Sequence, residues 1–393
     1  MKTKFFSFAA LMLATTLTFS ACSDDDGPVN QDPVDLDYTS ENADAWGNYM
    51  YNTANLLRID ANNLYKYWSV DYDGTGPYAE TFKKHNGGDF SSALSCIQEV
   101  FEKCAEIANE VGSAKIGDPI NLYELGKTQE ALYAVESWYS WHSRDDYTNN
   151  IWSIRNSYYG KISSNDNNDG GDIQENSLYK LVESLNASKN KELDDAIHAA
   201  ADAIQNIPQP FRNHINSDEA KAAQDACLTL ESLLKEVYSS VVEPAYSKDA
   251  NNTKLDAIVA QYVDYVVLPT YKSLSEKNEA LYRSIETFKN SPSDNNFIAA
   301  CEAWLTAREP WEKSEGFLFG PVDTEGLDPN MDSWPLDQNG IVNILKSQSW
   351  SDLEWSGDYD EDNDAIAAAQ NVRGFHTLEY FLFKNGQPRK VNN

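Results

Sequence analysis

Basic residues are scarce in this chain. Its 393 residues hold 31 Lys and Arg against 62 Asp and Glu, a formal net charge of −31. That imbalance excludes nucleic acid as a partner and polybasic adhesion to anionic lipid, and it favours attraction of cations. Apolar runs are short as well: Phe5 to Phe19 falls below the roughly 20 residues that span a bilayer, and no other segment approaches that length. Sustained alternation and hairpin turn signals are missing, which excludes a β-rich fold. Cysteines number five. Cys96 and Cys104 sit on one apparent helix about 12 Å apart along its axis, too far to bridge each other. With Cys227 and Cys301 they are expected to be buried free thiols. Histidine is equally sparse, with five residues. His85, His142, His198 and His214 show no pairing, and neither H-E-x-x-H nor H-x-x-E-H occurs, because Tyr380 follows Glu379.

The N-terminus points to a compartment. Lys2 and Lys4 precede the short apolar stretch, and Ser20-Ala21-Cys22 follows it, a pattern that resembles a lipoprotein signal with lipid on Cys22. Residues 1–21 are therefore expected to be a signal peptide, and their two lysines would leave the remainder at −33. Ser23-Asp-Asp-Asp-Gly27 looks like the acidic tether of surface-exported lipoproteins, so residues 22–38 read as a lipidated flexible linker. An outer-membrane lipoprotein, surface-exposed or facing the periplasm, is the expectation.

Helical spacing dominates the rest. From Ala43 to Trp68, Met50, Ala54, Leu57, Ala61, Leu64 and Tyr65 or Trp68 recur every three or four residues, a helix with one buried face. Further helices are expected over 91–111, 120–141, 145–162, 178–185, 191–207, 218–241, 254–290 (one long helix kinked at Pro269, or two helices), 296–314, 341–348 and 365–383. The fold class is all-α. Two acidic loops, Asp166 to Asp172 and Asp358 to Asp364, partly mimic calcium loops. The first has Ser177 where a bidentate Glu is required and the second lacks the turn glycine, so both read as solvated.

The C-terminal helix carries Gly374-Phe-His376-Thr-Leu-Glu379. Residues three apart on a helix stack, so His376 and Glu379 present an imidazole and a carboxylate to one place. Gly374 costs about 1 kcal/mol inside a helix, yet it lets another backbone approach. The pair reads either as a satisfied polar pair in a bundle core or as a site. Upstream, Trp304, Arg308, Trp311 and Glu315 form one stripe at spacings of four, three and four. Here too two readings stand: core tryptophans with Arg308 paired to Glu312 or Glu315, or Arg308 fixing a carboxylate beside His376.

Together, Gly374 to Phe383, the W-x-x-x-R-x-x-W stretch from Trp304 to Trp311, the Asp332-Ser-Trp334-Pro turn and Val266-Val-Leu-Pro-Thr-Tyr271 resemble the imelysin-like family, whose signature is G-x-H-x-x-E. The segments stand in an unusual order. Lys115-Ile-Gly-Asp-Pro-Ile120 and Glu136 to Asn150 resemble family segments that should follow the motif, yet here they precede it. We read a circular permutation, with one bundle domain from 39–113 plus 253–393 and a second from 114–252.

The resemblance implies two four-helix-bundle-like domains in a circularly permuted imelysin-like topology, with the site at their interface. It also implies that Asp332 and Trp334 close the rim, joined by Ser137, Ser140 and Asn150, and that His376 and Glu379 are the candidate metal ligands. The family was long classed as metallopeptidases and is associated with bacterial iron uptake, accompanying envelope transport systems. The function expected is a non-catalytic envelope lipoprotein that binds iron, an iron chelate or a small anionic ligand. Peptidase activity through H-x-x-E is the alternative. A glycan-binding lipoprotein, suggested by ten Trp and 22 Tyr, is a third.

Overall fold

The computed structural model describes residues 36–86, 90–163 and 173–391, all within one compact unit. The expected signal peptide, Cys22 and the loop at 166–172 lie outside the described residues. The chain is all-α. Its helices are α1 Ala43–Ser69, α2 Tyr78–Lys83, α3 Ala93–Glu110, α4 Asp118–Glu124, α5 Thr128–Ala134, α6 Ser143–Tyr159, α7 Leu178–Leu185, α8 Ala187–Gln205 and α9 Asp218–Val237. There follow α10 Glu243–Tyr246, α11 Thr253–Tyr262, α12 Leu268–Asn290, α13 Asp294–Glu312, α14 Pro321–Thr324, α15 Leu327–Asp332, α16 Gln338–Ser347, α17 Asp364–Gln370 and α18 Gly374–Leu382. Beyond α18, Phe383–Lys384 and Gln387–Pro388 make a minimal antiparallel pair, with Phe383 opposite Pro388.

Packing follows the apolar spacing. In α1 the buried face holds Trp46, Met50, Ala54, Leu57, Ala61, Leu64 and Trp68, while Tyr65 stays half-exposed. This face meets α12 and α18, and α12 in turn meets α13. A second group forms from α3, α6, α8 and α9. Helix α3, on the 39–113 side of the expected division, packs on both sides of it: against α9 and α6, and against α11 and the 3-10 turn at Glu315–Phe317. Within the second group, α6 also meets α13 of the first, and it is buried along nearly its whole length although it is rich in Asn, Ser and Asp. A polar helix in that position needs partners inside the protein. Many of them belong to the site.

Three prolines are accommodated by one device. Turns of π-helix at Val111–Gly117, Tyr238–Val242 and Val263–Val267 run directly into the helices that carry Pro119, Pro244 and Pro269 near their starts. Proline lacks the N–H that an α-helix needs and crowds the carbonyl four residues back. A wider turn relieves both, so the expected kink at Pro269 is a π turn inside a continuous rod.

Three expected helices differ. The run at 120–141 is two short helices that break at Gly126 and stop at Ala134, leaving residues 135–142 as a link with positive φ at Ser137 and Trp141. The run at 365–383 breaks before Gly374, which takes a φ of 86° as the first residue of α18. Helix α13 ends at Glu312, so Glu315 lies on the following 3-10 turn rather than on the stripe of Trp304, Arg308 and Trp311. The four described cysteines are buried and free, as expected, and burial pushes the Cys96, Cys104 and Cys227 thiols up to about 12.

Candidate functional site

Arg308 stands at the centre, with no exposed side-chain surface. Its Nη2 donates to Glu136 Oε1 at 2.6 Å and lies 2.6 Å from Glu312 Oε1, its Nη1 donates to Asp332, and its Nε reaches Asp146 Oδ2 at 3.4 Å. The four acids come from four places: the link after α5, α6, α13 itself and α15. Three of them are held in turn. Ser137 Oγ donates to Asp146 at 2.5 Å, Asn150 Nδ2 to Glu312 at 2.7 Å, and Trp311 Nε1 to Asp332 at 2.6 Å.

His376 abuts this cluster. Its Nε2 lies 3.3 Å from Glu136, 3.2 Å from Asp332 and 3.3 Å from Arg308 Nη2. On the opposite ring edge, Nδ1 meets Glu379 at 3.2 Å, and Glu379 also accepts from Ser140 N and Oγ at 2.8 and 2.7 Å. The helical i, i+3 spacing thus brings imidazole and carboxylate together, and the link at 135–142 fixes the carboxylate from outside. Gly374 makes the arrangement possible, because a Cβ there would lie 2.4 Å from the Met331 carbonyl oxygen, just before Asp332.

Lys115 forms the second cationic anchor. It projects from the π turn after α3 and reaches Glu136 at 3.1 Å, Glu315 at 3.5 Å and Glu110 at 3.9 Å. Above it opens a cleft of about 470 Å³ lined by Lys115, Glu136, Glu315, Asp328, Asp332 and Trp334, among others. Arg308 and His376 sit beneath this cleft without lining it. Trp334 covers the histidine, with ring centroids 4.8 Å apart and its indole N–H on the Ala134 carbonyl.

The charges sort themselves by position. Burial pushes the Glu136 carboxyl up, but Lys115, His376 and Arg308 outweigh it and hold the group at about 2. Asp332 is likewise held well below the usual carboxylate range, Arg308 and His376 overcoming its burial. His376 is driven well above the ordinary imidazole value: burial and Arg308 press it down, while Asp332 and Glu136 more than reverse this. Burial dominates for the outer acids. It raises Asp146 to about 7 and Glu312 to about 8 despite Arg308, and Glu315 well up despite Lys115. At neutral pH the cluster therefore holds ionised Glu136 and Asp332 against Lys115, Arg308 and protonated His376.

Of the residues singled out from the sequence, His376, Glu379, Arg308, Trp311, Asp332, Ser137, Ser140 and Asn150 converge in this network, and Trp334 and Glu315 border the cleft. Trp304 flanks it, its ring 6.0 Å from the central carbon of Arg308, but makes no hydrogen bond to the cluster. Its indole donates to the Phe375 carbonyl at 2.9 Å and its ring packs among Phe375 and Phe383 in the core. Lys115, Glu136, Asp146 and Glu312 were not selected as site residues. A signal existed for them: a buried arginine demands several carboxylates, and Glu136 and Asp146 lie in the segment that already contained Ser137 and Asn150.

Metal-type donors do gather here. Glu136, Asp332 and His376 form one group whose ligand atoms lie within 4.8 Å of one another, and Glu312, Glu315 and Asp332 form another. Glu379 belongs to neither, because it faces the other ring nitrogen. A resident metal does not fit the first group as the side chains stand, since Arg308 already bonds both of its carboxylates.

An all-α protein with a buried Arg–carboxylate–His cluster beneath an acidic cleft is the class defined by this fold and site. The chain belongs to the Imelysin family, whose model matches residues 24–237 and 267–392. It is similar to a solved imelysin peptidase from Bacteroides ovatus, at 60% identity with a TM-score of 0.87, covering 92% of this chain and 100% of that one. It also resembles the iron-regulated protein A of Synechococcus elongatus, 35% identical over 127 residues, which is 32% of this chain and 31% of that protein. A putative iron-regulated protein A precursor from Parabacteroides distasonis aligns at 34% identity and a TM-score of 0.41, over 44% of this chain and 50% of that one.

Proposed function

We propose that this protein is a cell-envelope lipoprotein that binds its ligand without catalysis, as a component linked to iron uptake, and that the cleft above Arg308 is where the ligand sits. The observation that carries this reading is the cleft itself: carboxyl oxygens of Glu315 and Asp328 line about 470 Å³ beside the Trp334 ring. Hard ferric ion prefers such donors. The likeness to iron-regulated protein A supports the iron link. Lipid on Cys22 would anchor the chain at the outer membrane, beside an envelope transport partner. Titration calorimetry of the soluble part with ferrous and ferric salts tests the reading. Binding that weakens at least tenfold in Glu315→Gln and Asp328→Asn is expected, and an absence of heat from every iron salt would sink it.

A peptidase reading draws on the printed description of the 60%-identical structure and on the His376, Glu136 and Asp332 donors. Against it, Glu379 and the two carboxylates approach opposite ring nitrogens, so H-x-x-E is not one chelating pair here. Chelator-sensitive peptide cleavage that disappears in Glu136→Gln would restore it. The glycan reading loses part of its support, because Trp46, Trp68, Trp304 and Trp311 are fully buried.

Circular permutation is part of the same proposal. The family match falls in two blocks. The two ends of the described residues also touch: Leu36 N donates to Tyr380 OH at 3.1 Å, Arg389 Nη1 donates to the Leu36 carbonyl at 2.8 Å, and Lys384 pairs with Asp37 at 2.6 Å.

A further inference from the structure

Glu136 Oε1, Asp332 Oδ1 and His376 Nε2 are spaced as the ligands of one ion would be. The imidazole nitrogen lies 3.3 and 3.2 Å from the two oxygens. Tetrahedral bonds of about 2.0–2.2 Å would hold ligand atoms about 3.3–3.6 Å apart. Glu379 behind Nδ1 matches the carboxylate that orients a metal-bound histidine. Across these donors, however, lies a guanidinium, with Nη2 on Glu136 and 3.3 Å from Nε2, and Nη1 on Asp332.

We propose that Arg308 is the resident cation of this centre, standing where a divalent ion would stand, and that the centre is a latent metal site exposed by removing Arg308. Three observations carry this. The guanidinium lies within 3.4 Å of four acid side chains and bonds the ionised Glu136 and Asp332 through the planar fork of donors that a lysine lacks. It is enclosed, with the Phe375 and Trp304 rings 5.4 and 6.0 Å from its central carbon, so the side chain has no exposed path along which to withdraw. Its charge is permanent, so an incoming ion meets a fixed like charge among its own ligands. The inference is independent of what enters the cleft, where Glu315 and Asp328 rather than His376 would hold a ligand.

Cobalt and zinc titrations followed by visible absorbance and calorimetry test it on the soluble part of the protein. Arg308→Met is expected to gain one ion per chain at least tenfold more tightly than the wild type, with the visible bands of tetrahedral cobalt. Arg308→Met/His376→Ala should lose that ion, and Arg308→Lys, which keeps the charge, should not acquire it. A folded Arg308→Met that binds no better than the wild type overturns the proposal. So does a wild-type ion lost in His376→Ala. Should Arg308→Met fail to fold, the wild type decides: cobalt binding that His376→Ala leaves unchanged upholds Arg308 as the occupant. Loss of iron binding in Glu315→Gln alone would bear on the cleft and leave this inference standing.

Discussion

Gly374 shows how tightly the residues of the cluster are set. Its φ of 86° is a conformation that side chains avoid, and an added Cβ would strike the Met331 carbonyl. Gly374→Ala should therefore cost about 2–4 kcal/mol in urea unfolding, and an unchanged midpoint would remove the close-approach argument. The acids give a pH signature. Glu136, held at about 2 against an ordinary 4.5, stabilises the fold fully above pH 4.5 and progressively less as pH falls toward 2. Asp146 and Glu312 act in the other sense. Raised to about 7 and about 8 from 3.8 and 4.5, they favour the folded state in acid, and that contribution drains away as pH climbs through this range. The unfolding midpoint is expected to peak in mild acid and decline toward pH 8, with Asp146→Asn flattening part of the decline. A midpoint higher at pH 8 than in mild acid would contradict the assignment. At this scale the sequence was half legible. Arg308, His376 and Glu379 stood out because each lies on a periodic element. Lys115 and Glu136 did not, because a π turn and an irregular link have no period to reveal which way a side chain points.

Elements explain why those two positions were hidden. The apolar spacing of α1, α9 and α12 places their buried faces without ambiguity, and Gly160 in the left-handed region closes α6 as a stop signal should. Propensity failed at 120–141, where Ala, Leu and Glu favour helix, yet Glu136, Ser137 and Ser140 are drawn into contacts with Arg308, Asp146 and Glu379. Tertiary hydrogen bonding outweighed a local preference of tenths of a kcal/mol per residue. Helix α3, which leads into the π turn of Lys115, begins with a reciprocal cap between Ser92 and Ser95. Ser92→Ala should lower stability by about 1 kcal/mol, as read from thermal unfolding, without changing ligand binding. A matching loss of binding would show that α3 transmits strain to the cleft.

For the molecule as a whole, the all-α class and the family were legible, because both rest on features repeated along the chain. The packing of α3 on α9 was not, since partner choice among amphipathic helices depends on surfaces that spacing alone does not distinguish. The contact between Leu36 and Arg389 makes a direct test of permutation practical. A chain opened between Ser247 and Lys248, both exposed, with Val391 joined to Leu36 by a short Gly/Ser linker, is expected to fold with a melting temperature within a few degrees of the original. An insoluble or molten product would count against the permuted reading.

The link at 135–142 has an evolutionary corollary. Glu136 and Ser140 are delivered to the buried network by an irregular segment anchored at both ends, Trp334 holding the Ala134 carbonyl and Gly386 the Tyr139 carbonyl. Helices fix a side chain's direction by their pitch, whereas a strap of this kind can exchange residues or length and leave the scaffold untouched. On the proposed binding function, relatives that take different ligands would diverge first in this strap, and grafting it from one to another would carry the preference across.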